Sequence, residues 1–289
     1  MKIVAFSSDK RFGIFAECFK KDAIEIGLLV TQSPKTQGRS HEIKPNEAHL
    51  FALKNNIPVL HPEQLDAVFS KDLSKYDTDL GFIFAYGKII PDMIINQFSK
   101  GIFNIHFSLL PQYIGPSPIQ QALLDNISET GYTVFKITSK LDSGDVLIQE
   151  KINIKPDDNF DSLRERIIES SLQILSAQLK KYSDGFSKLE PMETINSSYT
   201  KKITKDDGLI SEEDTARTAY NKIRAFSHWP KTFVKIDGKR YIIHDASINN
   251  KTLDIKQIQP EGKKIMSFMD FKKGYYSLLT KFPDFVNIS

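Results

Sequence analysis

Short apolar runs alternate with amphipathic stretches along most of this chain. KIVAF (Lys2 to Phe6) has the length and composition of a buried strand, and the stretch behind it spaces Phe15, Cys18 and Phe19 as one helical face. IEIGLLVTQ (Ile24 to Gln32) predicts a second strand. Ser33 to Pro45 has no apolar period and is expected to be a solvated loop. Asn46 to Asn55 predicts a helix and Ile57 to Leu60 a short strand. A further helical segment leads to LGFIFAYG (Leu80 to Gly87), a strand with no polar face and therefore central. Pro91 opens the next helix at its first turn.

Gly101 begins another strand, after which Ser117 to Leu124 reads as a helix, and Thr130 to Ile137 and Val146 to Ile154 as a pair of strands. One long amphipathic helix is expected from Phe160 to about Tyr182, with Leu163, Ile167, Leu172, Leu175 and Leu179 on its apolar side. Strands alternating with helices in this way predict an α/β fold built on a doubly wound sheet. The pattern then turns irregular. We assign residues 1–183 to a first domain, 184–200 to a linker and 201–289 to a smaller domain. The last segment holds one helix (Thr215 to Phe226) and then short strands split by turns: TFVKI-DG-KRYII, then ASI-NN-KTLDI. Asp237-Gly238 suits a hairpin turn, and strands at this spacing predict a small β-barrel or half-barrel.

Composition narrows the class. The chain has 289 residues, 40% of them hydrophobic and 26% charged, which suits a soluble globular protein large enough for two domains. A single cysteine, Cys18, excludes an internal disulfide framework and fits a reducing cytoplasm. Met1-Lys2 leads straight into the first strand, so no signal peptide is expected, and no apolar run has the length of a membrane span. The net charge of +3 is unevenly spread. From Asn196 onward 17 Lys and Arg face 11 Asp and Glu, giving +6, whereas the remainder has 22 against 25, giving −3. A basic C-terminal part on a mildly acidic body suggests a polyanionic partner such as RNA.

The candidate chemistry lies in GIFNIHFSLLPQYIG, Gly101 to Gly115. Side chains two apart on a strand share a face, so Asn104 and His106 project together while Phe103 and Ile105 turn into the sheet. Polar groups at the carboxyl end of a buried strand occupy the place where open α/β sheets bind ligands. The turn after the first strand lacks GxGxxG, which disfavours a dinucleotide. Asp142-Ser143-Gly144-Asp145 lies between two later strands; alone it reads as a tight turn, and no metal-ligand spacing accompanies it. Together, Asn104, His106 and Asp142 suit attack by an amine on an activated acyl group. An amide N–H and an imidazolium can stabilise the oxyanion, and a carboxylate can orient the imidazole. Ser108 lacks a nucleophile-elbow context, so direct transfer is expected.

Asn-x-His-x-Ser-Leu-Leu-Pro followed by Leu-Asp-Ser-Gly-Asp resembles the signature of the folate-dependent formyltransferases. The resemblance implies a Rossmann-like N-terminal domain and 10-formyltetrahydrofolate as cosubstrate, with no metal. It implies that Asn104 holds the formyl oxygen, that His106 steadies the intermediate and manages protons, and that Asp142 orients His106. Ser108, Leu109, Leu110 and Pro111, with Tyr86, Gly87, Ile89 and Ile90 of the AYGKIIP phrase, would line the folate pocket. The likeness runs almost end to end toward the branch that acts on initiator methionyl-tRNA, through TQSPKTQGRS, SPIQQAL, ETGYTVFKI, RAFSHWP and PEGKKIM. It implies tRNA contacts from Lys35 and Arg39 in the loop after the second strand. In the C-terminal part it implies an OB-like, tRNA-binding barrel in which Lys201, Lys202, Lys205, Lys263 and Lys264 meet phosphates. A cytoplasmic monomer is expected. Three features depart from the family pattern: Ile114-Gly115 stands where Arg-Gly is usual, Ser33 to Pro45 is less basic, and the barrel segment is trimmed. A sugar-amine formyltransferase, a formyltetrahydrofolate hydrolase and a non-catalytic RNA-binding protein remain as alternatives.

Overall fold

The computed structural model describes residues 1–37, 42–76, 79–193, 195–249 and 251–288. They form two compact units, one of residues 1–114, 131–151 and 167–198, the other of 115–130, 152–166 and 199–289.

The first strand, β1 (Lys2–Ser7), is buried along almost its whole length and is followed by α1 (Phe12–Lys21) and β2 (Glu25–Val30). A small hairpin, β3 (Lys35–Gln37) with β4 (Glu42–Lys44), stands where the sequence predicts a loop without strands. Three-residue strands are too short to leave a period of two in the sequence. Next come α2 (Glu47–Lys54), β5 (Val59–Leu60), α3 (Ala67–Leu73), β6 (Leu80–Phe84), α4 (Asp92–Ile95) and β7 (Gly101–His106). Asn46 caps α2 by accepting from the His49 N–H at 3.0 Å, and its amide donates to Thr31 Oγ1 at 2.8 Å, tying the helix start to the end of β2.

After α5 (Pro118–Leu124), β8 (Glu129–Lys136) and β9 (Val146–Asn153) complete a seven-stranded sheet of order β5-β2-β1-β6-β7-β8-β9. Neighbours from β5 to β7 run parallel, and β8 returns antiparallel to β7. The sheet is doubly wound. On one face, Phe15 and Phe19 of α1 pack on Phe84 and Phe82 of β6 with ring centroids 4.2 and 5.1 Å apart. On the other, Val4, Phe6, Leu28 and Val30 form a core with Phe69 and Leu73 of α3 and Ile94 of α4.

The long helix predicted from Phe160 is two, α6 (Phe160–Leu172) and α7 (Leu175–Ser183). At the break, Ser171 Oγ donates to the Ile168 carbonyl at 2.8 Å, and the amides of Gln173 and Ile174 bond three residues back rather than four. Local hydroxyl-to-backbone bonds compete with the helical ladder in this way.

The second unit contains α8 (Ala216–Ala225), opened by a Thr215–Thr218 capping box, and a sheet of order β10-β11-β12-β13. Its strands are β10 (Thr232–Ile236), β11 (Lys239–Asn249), β12 (Thr252–Pro260) and β13 (Met266–Ser267), followed by α9 (Phe268–Gly274). Asp237 and Gly238, with φ of 51° and 75°, make the β10–β11 turn, as Asp-Gly predicts. The two strands expected from Lys239 to Ile248 are one, β11, with its register slipping between Ile243 and Ala246. This antiparallel sheet is compatible with a small barrel. Ile223, Val234, Tyr241, Ile243, Leu253, Ile258 and Phe271 fill its core. Among the described residues no helix is long and apolar enough to cross a membrane.

Candidate active site

The chain runs from β1 through β2 to β5 on one side and through β6 to β7 on the other, so the sheet reverses its winding between β1 and β6. The carboxyl ends of strands beside such a point form an open crevice. β7 brings Asn104 and His106 there on one face, with Asn104 in register with Ile83 of β6 and His106 with Thr133 of β8. Phe103 and Ile105 point to the opposite face and are buried.

His106 is 7% exposed and held from both sides. Its Nε2 lies 2.9 Å from the carbonyl of Tyr113. A carbonyl only accepts, so Nε2 carries a hydrogen and donates it. Nδ1 is therefore the nitrogen that gains or loses a proton, and it faces Asp142 Oδ2 at 3.7 Å. That separation exceeds a direct hydrogen bond and is an ion-pair distance.

Asp142 reaches this position through its loop. The Lys136 N–H donates to the Asp145 carbonyl at 2.9 Å and closes the segment between them. Gly144 sits against that closure with φ 132°, and a Cβ there would lie 1.9 Å from the Lys136 carbonyl oxygen. Inside the loop Thr138 Oγ1 bonds Ser143 Oγ at 2.9 Å, and Ser143 Oγ donates to the Lys140 carbonyl at 3.1 Å.

The Ser108–Pro111 segment is pinned from below by Thr133 of β8, which is fully buried. Thr133 Oγ1 donates to the Ser108 carbonyl at 2.7 Å and accepts from the Leu110 N–H at 3.0 Å. Gln149 of β9 adds a bond to the Leu110 carbonyl at 2.8 Å. Sequence reasoning missed Thr133 and Gln149. Thr133 leaves the faint signal of a polar residue in a buried run, while Gln149, followed by Glu150 and Lys151 in β9, leaves none. Ser108 and Leu110 are buried and Leu109 is half-buried. In the AYGKIIP turn, Tyr86 and Ile90 enter the core, Gly87 adopts φ 79°, and Ile89 is 78% exposed. Burial pushes the Tyr86 phenol up to about 12. Ile114 is buried in an apolar cluster with Leu110 and Phe135.

In the second unit Lys201, Lys202, Lys205, Lys263 and Lys264 are all exposed, and Lys201 pairs with Asp207 at 3.1 Å. The Lys35 backbone begins β3, whereas Arg39 lies outside the described residues.

Asn104, His106 and Asp142 thus converge at one strand end. The set can steady a developing oxyanion with the Asn104 amide N–H and the charge of an imidazolium, with the Asp142 carboxylate at ion-pair distance from Nδ1.

Comparison with known proteins identifies the family. Residues 1–179 match the formyl transferase model and residues 202–254 its C-terminal domain. A methionyl-tRNA formyltransferase of Sulfurihydrogenibium sp. is 33% identical over 267 residues, covering 90% of this chain and 84% of the relative. One from Caldicellulosiruptor saccharolyticus is 32% identical, covering 91% and 93%. Among solved structures, the N-formyltransferase from Helicobacter canadensis, in complex with folinic acid and dTDP-3-aminofucose, shares the fold. It has a TM-score of 0.65 and 18% identity over 92% of this chain and 98% of that one. The fold, the strand-end site and these matches lead to one conclusion: the chain belongs to the formyl transferase family.

Proposed function

We propose that this chain transfers the formyl group of 10-formyltetrahydrofolate to the α-amine of methionine esterified to initiator tRNA, acting as a cytoplasmic monomer. One observation carries the chemical reading: the His106 imidazole faces the Asp142 carboxylate at 3.7 Å, on the strand face that also presents Asn104. The acceptor is supported by relatives at 33% and 32% identity that bear the name methionyl-tRNA formyltransferase and align over 90% or more of this chain.

The neutral amine attacks the formyl carbon, forming the new C–N bond while the carbonyl electron pair moves onto oxygen. Asn104 and protonated His106 stabilise that oxyanion. Asp142 takes the proton that the attacking nitrogen sheds. Collapse of the intermediate re-forms the carbonyl and breaks the bond to the folate nitrogen, which receives a proton through His106. The net result is one formyl group and one proton exchanged between two nitrogens. In this reading Ser108–Pro111 and the Tyr86–Ile90 turn line the folate pocket. Lys35, Arg39 and the lysines at 201, 202, 205, 263 and 264 contact tRNA phosphates.

The test is incubation of the purified protein with 10-formyltetrahydrofolate and methionyl-tRNA, an amino-sugar nucleotide, or buffer alone. Formyl-methionyl-tRNA is expected only in the first. Asn104→Ala, His106→Ala and Asp142→Ala should each lower turnover by about 10²-fold or more while the protein stays folded by circular dichroism. Full activity of His106→Ala defeats the assignment; formate release in buffer alone identifies a hydrolase instead.

A further inference from the structure

His106 owes its orientation to a segment far away in the chain. The carbonyl that receives its Nε2–H belongs to Tyr113, whose φ of 58° is one that residues with a side chain seldom hold. Such a conformation persists only where its surroundings enforce it. Ser108 Oγ supplies part of the restraint by donating to the neighbouring Gln112 carbonyl at 2.6 Å. More comes from Ser198. Its Oγ accepts from the Tyr113 N–H at 2.8 Å, its carbonyl accepts from the Ile114 N–H at 2.8 Å, and its own N–H donates to the Pro111 carbonyl at 3.2 Å. Three bonds from one half-buried residue thus fasten both sides of the Tyr113 peptide, and the Oγ bond acts on Tyr113 itself.

We propose that Ser198 is a positioning residue for His106. By fixing the Tyr113 peptide it holds the carbonyl against Nε2, which keeps the hydrogen on Nε2 and leaves Nδ1 to exchange protons beside Asp142. The inference rests on the reading of His106 as the group that manages protons. Loss of the Oγ acceptor removes this bond from the Tyr113 N–H, lets φ relax toward the ordinary negative range and turns the carbonyl off the ring. The neutral imidazole then samples both tautomers and loses its fixed orientation, so that in a fraction of molecules Nδ1 is turned away from the Asp142 carboxylate with which it exchanges protons between turnovers.

The experiment compares wild type, Ser198→Ala, Ser198→Thr and His106→Ala in the full chain. It measures kcat and KM for the formyl donor, and the tautomer of His106 from the nitrogen shifts of ¹⁵N-histidine-labelled protein. For Ser198→Ala we expect kcat to fall by about tenfold or more, KM to stay within about twofold, and the Nε2–H tautomer to lose population. Ser198→Thr keeps the hydroxyl and should restore both readouts. An unchanged His106 tautomer in Ser198→Ala overturns the proposal, as does a Ser198→Thr variant that fails to restore it. The nitrogen shifts report positioning whether or not the histidine is catalytic, so an active His106→Ala sinks the functional reading through a separate measurement.

Discussion

Asp142, Tyr113 and Ala85 hold φ values of 42°, 58° and 50°, and all three lie in loops at the carboxyl ends of the central strands or in the segment that faces them. Left-handed backbone at residues with side chains costs about 1–3 kcal/mol each and persists where neighbours over-determine it. Here the neighbours are identifiable: Ser198 for Tyr113, the Ala85 carbonyl's bond from the Ser8 N–H at 3.2 Å, and the Gly144 closure for the Asp142 loop. Gly144→Ala should therefore push the loop away from the Lys136 carbonyl and carry Asp142 off Nδ1. We expect kcat to fall by roughly 10²-fold, because a displacement of about 1 Å is enough for that. Steady-state kinetics on the variant check this, and wild-type kcat would show that the loop tolerates the displacement. Asn104 and His106 were legible as a same-face pair from their strand spacing, whereas Asp142 alone reads as a turn residue and its place beside His106 is seen only in the structure. Thr133, Gln149 and Ser198 were not, because a serine or threonine that bonds a distant backbone carries no local mark.

At the scale of elements, the apolar faces of α1 and β6 are what the pattern conveyed best. Phe15 is fully buried and packs at a tilt against Phe84 at a centroid distance of 4.2 Å, within the spacing that places Phe12, Phe15 and Phe19 on one side of the helix. Phe15→Ala should lower unfolding stability by about 3–5 kcal/mol, through lost burial and the cavity left behind. The midpoint of urea unfolding measures it, and a loss under about 1 kcal/mol would mean that the site collapses around the smaller side chain. The elements that the pattern misjudged share a cause. The β3–β4 hairpin, the α6–α7 break and the unbroken β11 are each decided by a few hydrogen bonds rather than by a periodic apolar face. A window of several residues averages over such bonds.

At the scale of the molecule, the two compact units do not follow one another in two consecutive blocks. Residues 115–130 and 152–166 join the unit that contains everything from Tyr199 onward. That unit holds most of the positive excess, and its lysines at 202 and 205 are exposed. If they contact phosphates, each releases counterions on binding. The double variant Lys202→Ala/Lys205→Ala should then weaken methionyl-tRNA binding at low salt. It should also reduce the slope of log affinity against log salt by about 1 to 2, since each phosphate contact contributes about 0.7–0.9. Filter-binding titrations across a salt series read this directly, and an unchanged slope would assign these lysines to solvent alone.

The order of the main strands and helices, the doubly wound class and the placement of Asn104 and His106 on one strand face were determined by the amino-acid sequence, because the period of apolar and polar positions is a local property. Which nitrogen of His106 holds the hydrogen, which loop delivers Asp142 and which distant serine fastens Tyr113 were decided only by the tertiary structure. Those features depend on distances of about 3 Å between groups far apart in the chain, and hydrogen bonds weaken steeply outside that range.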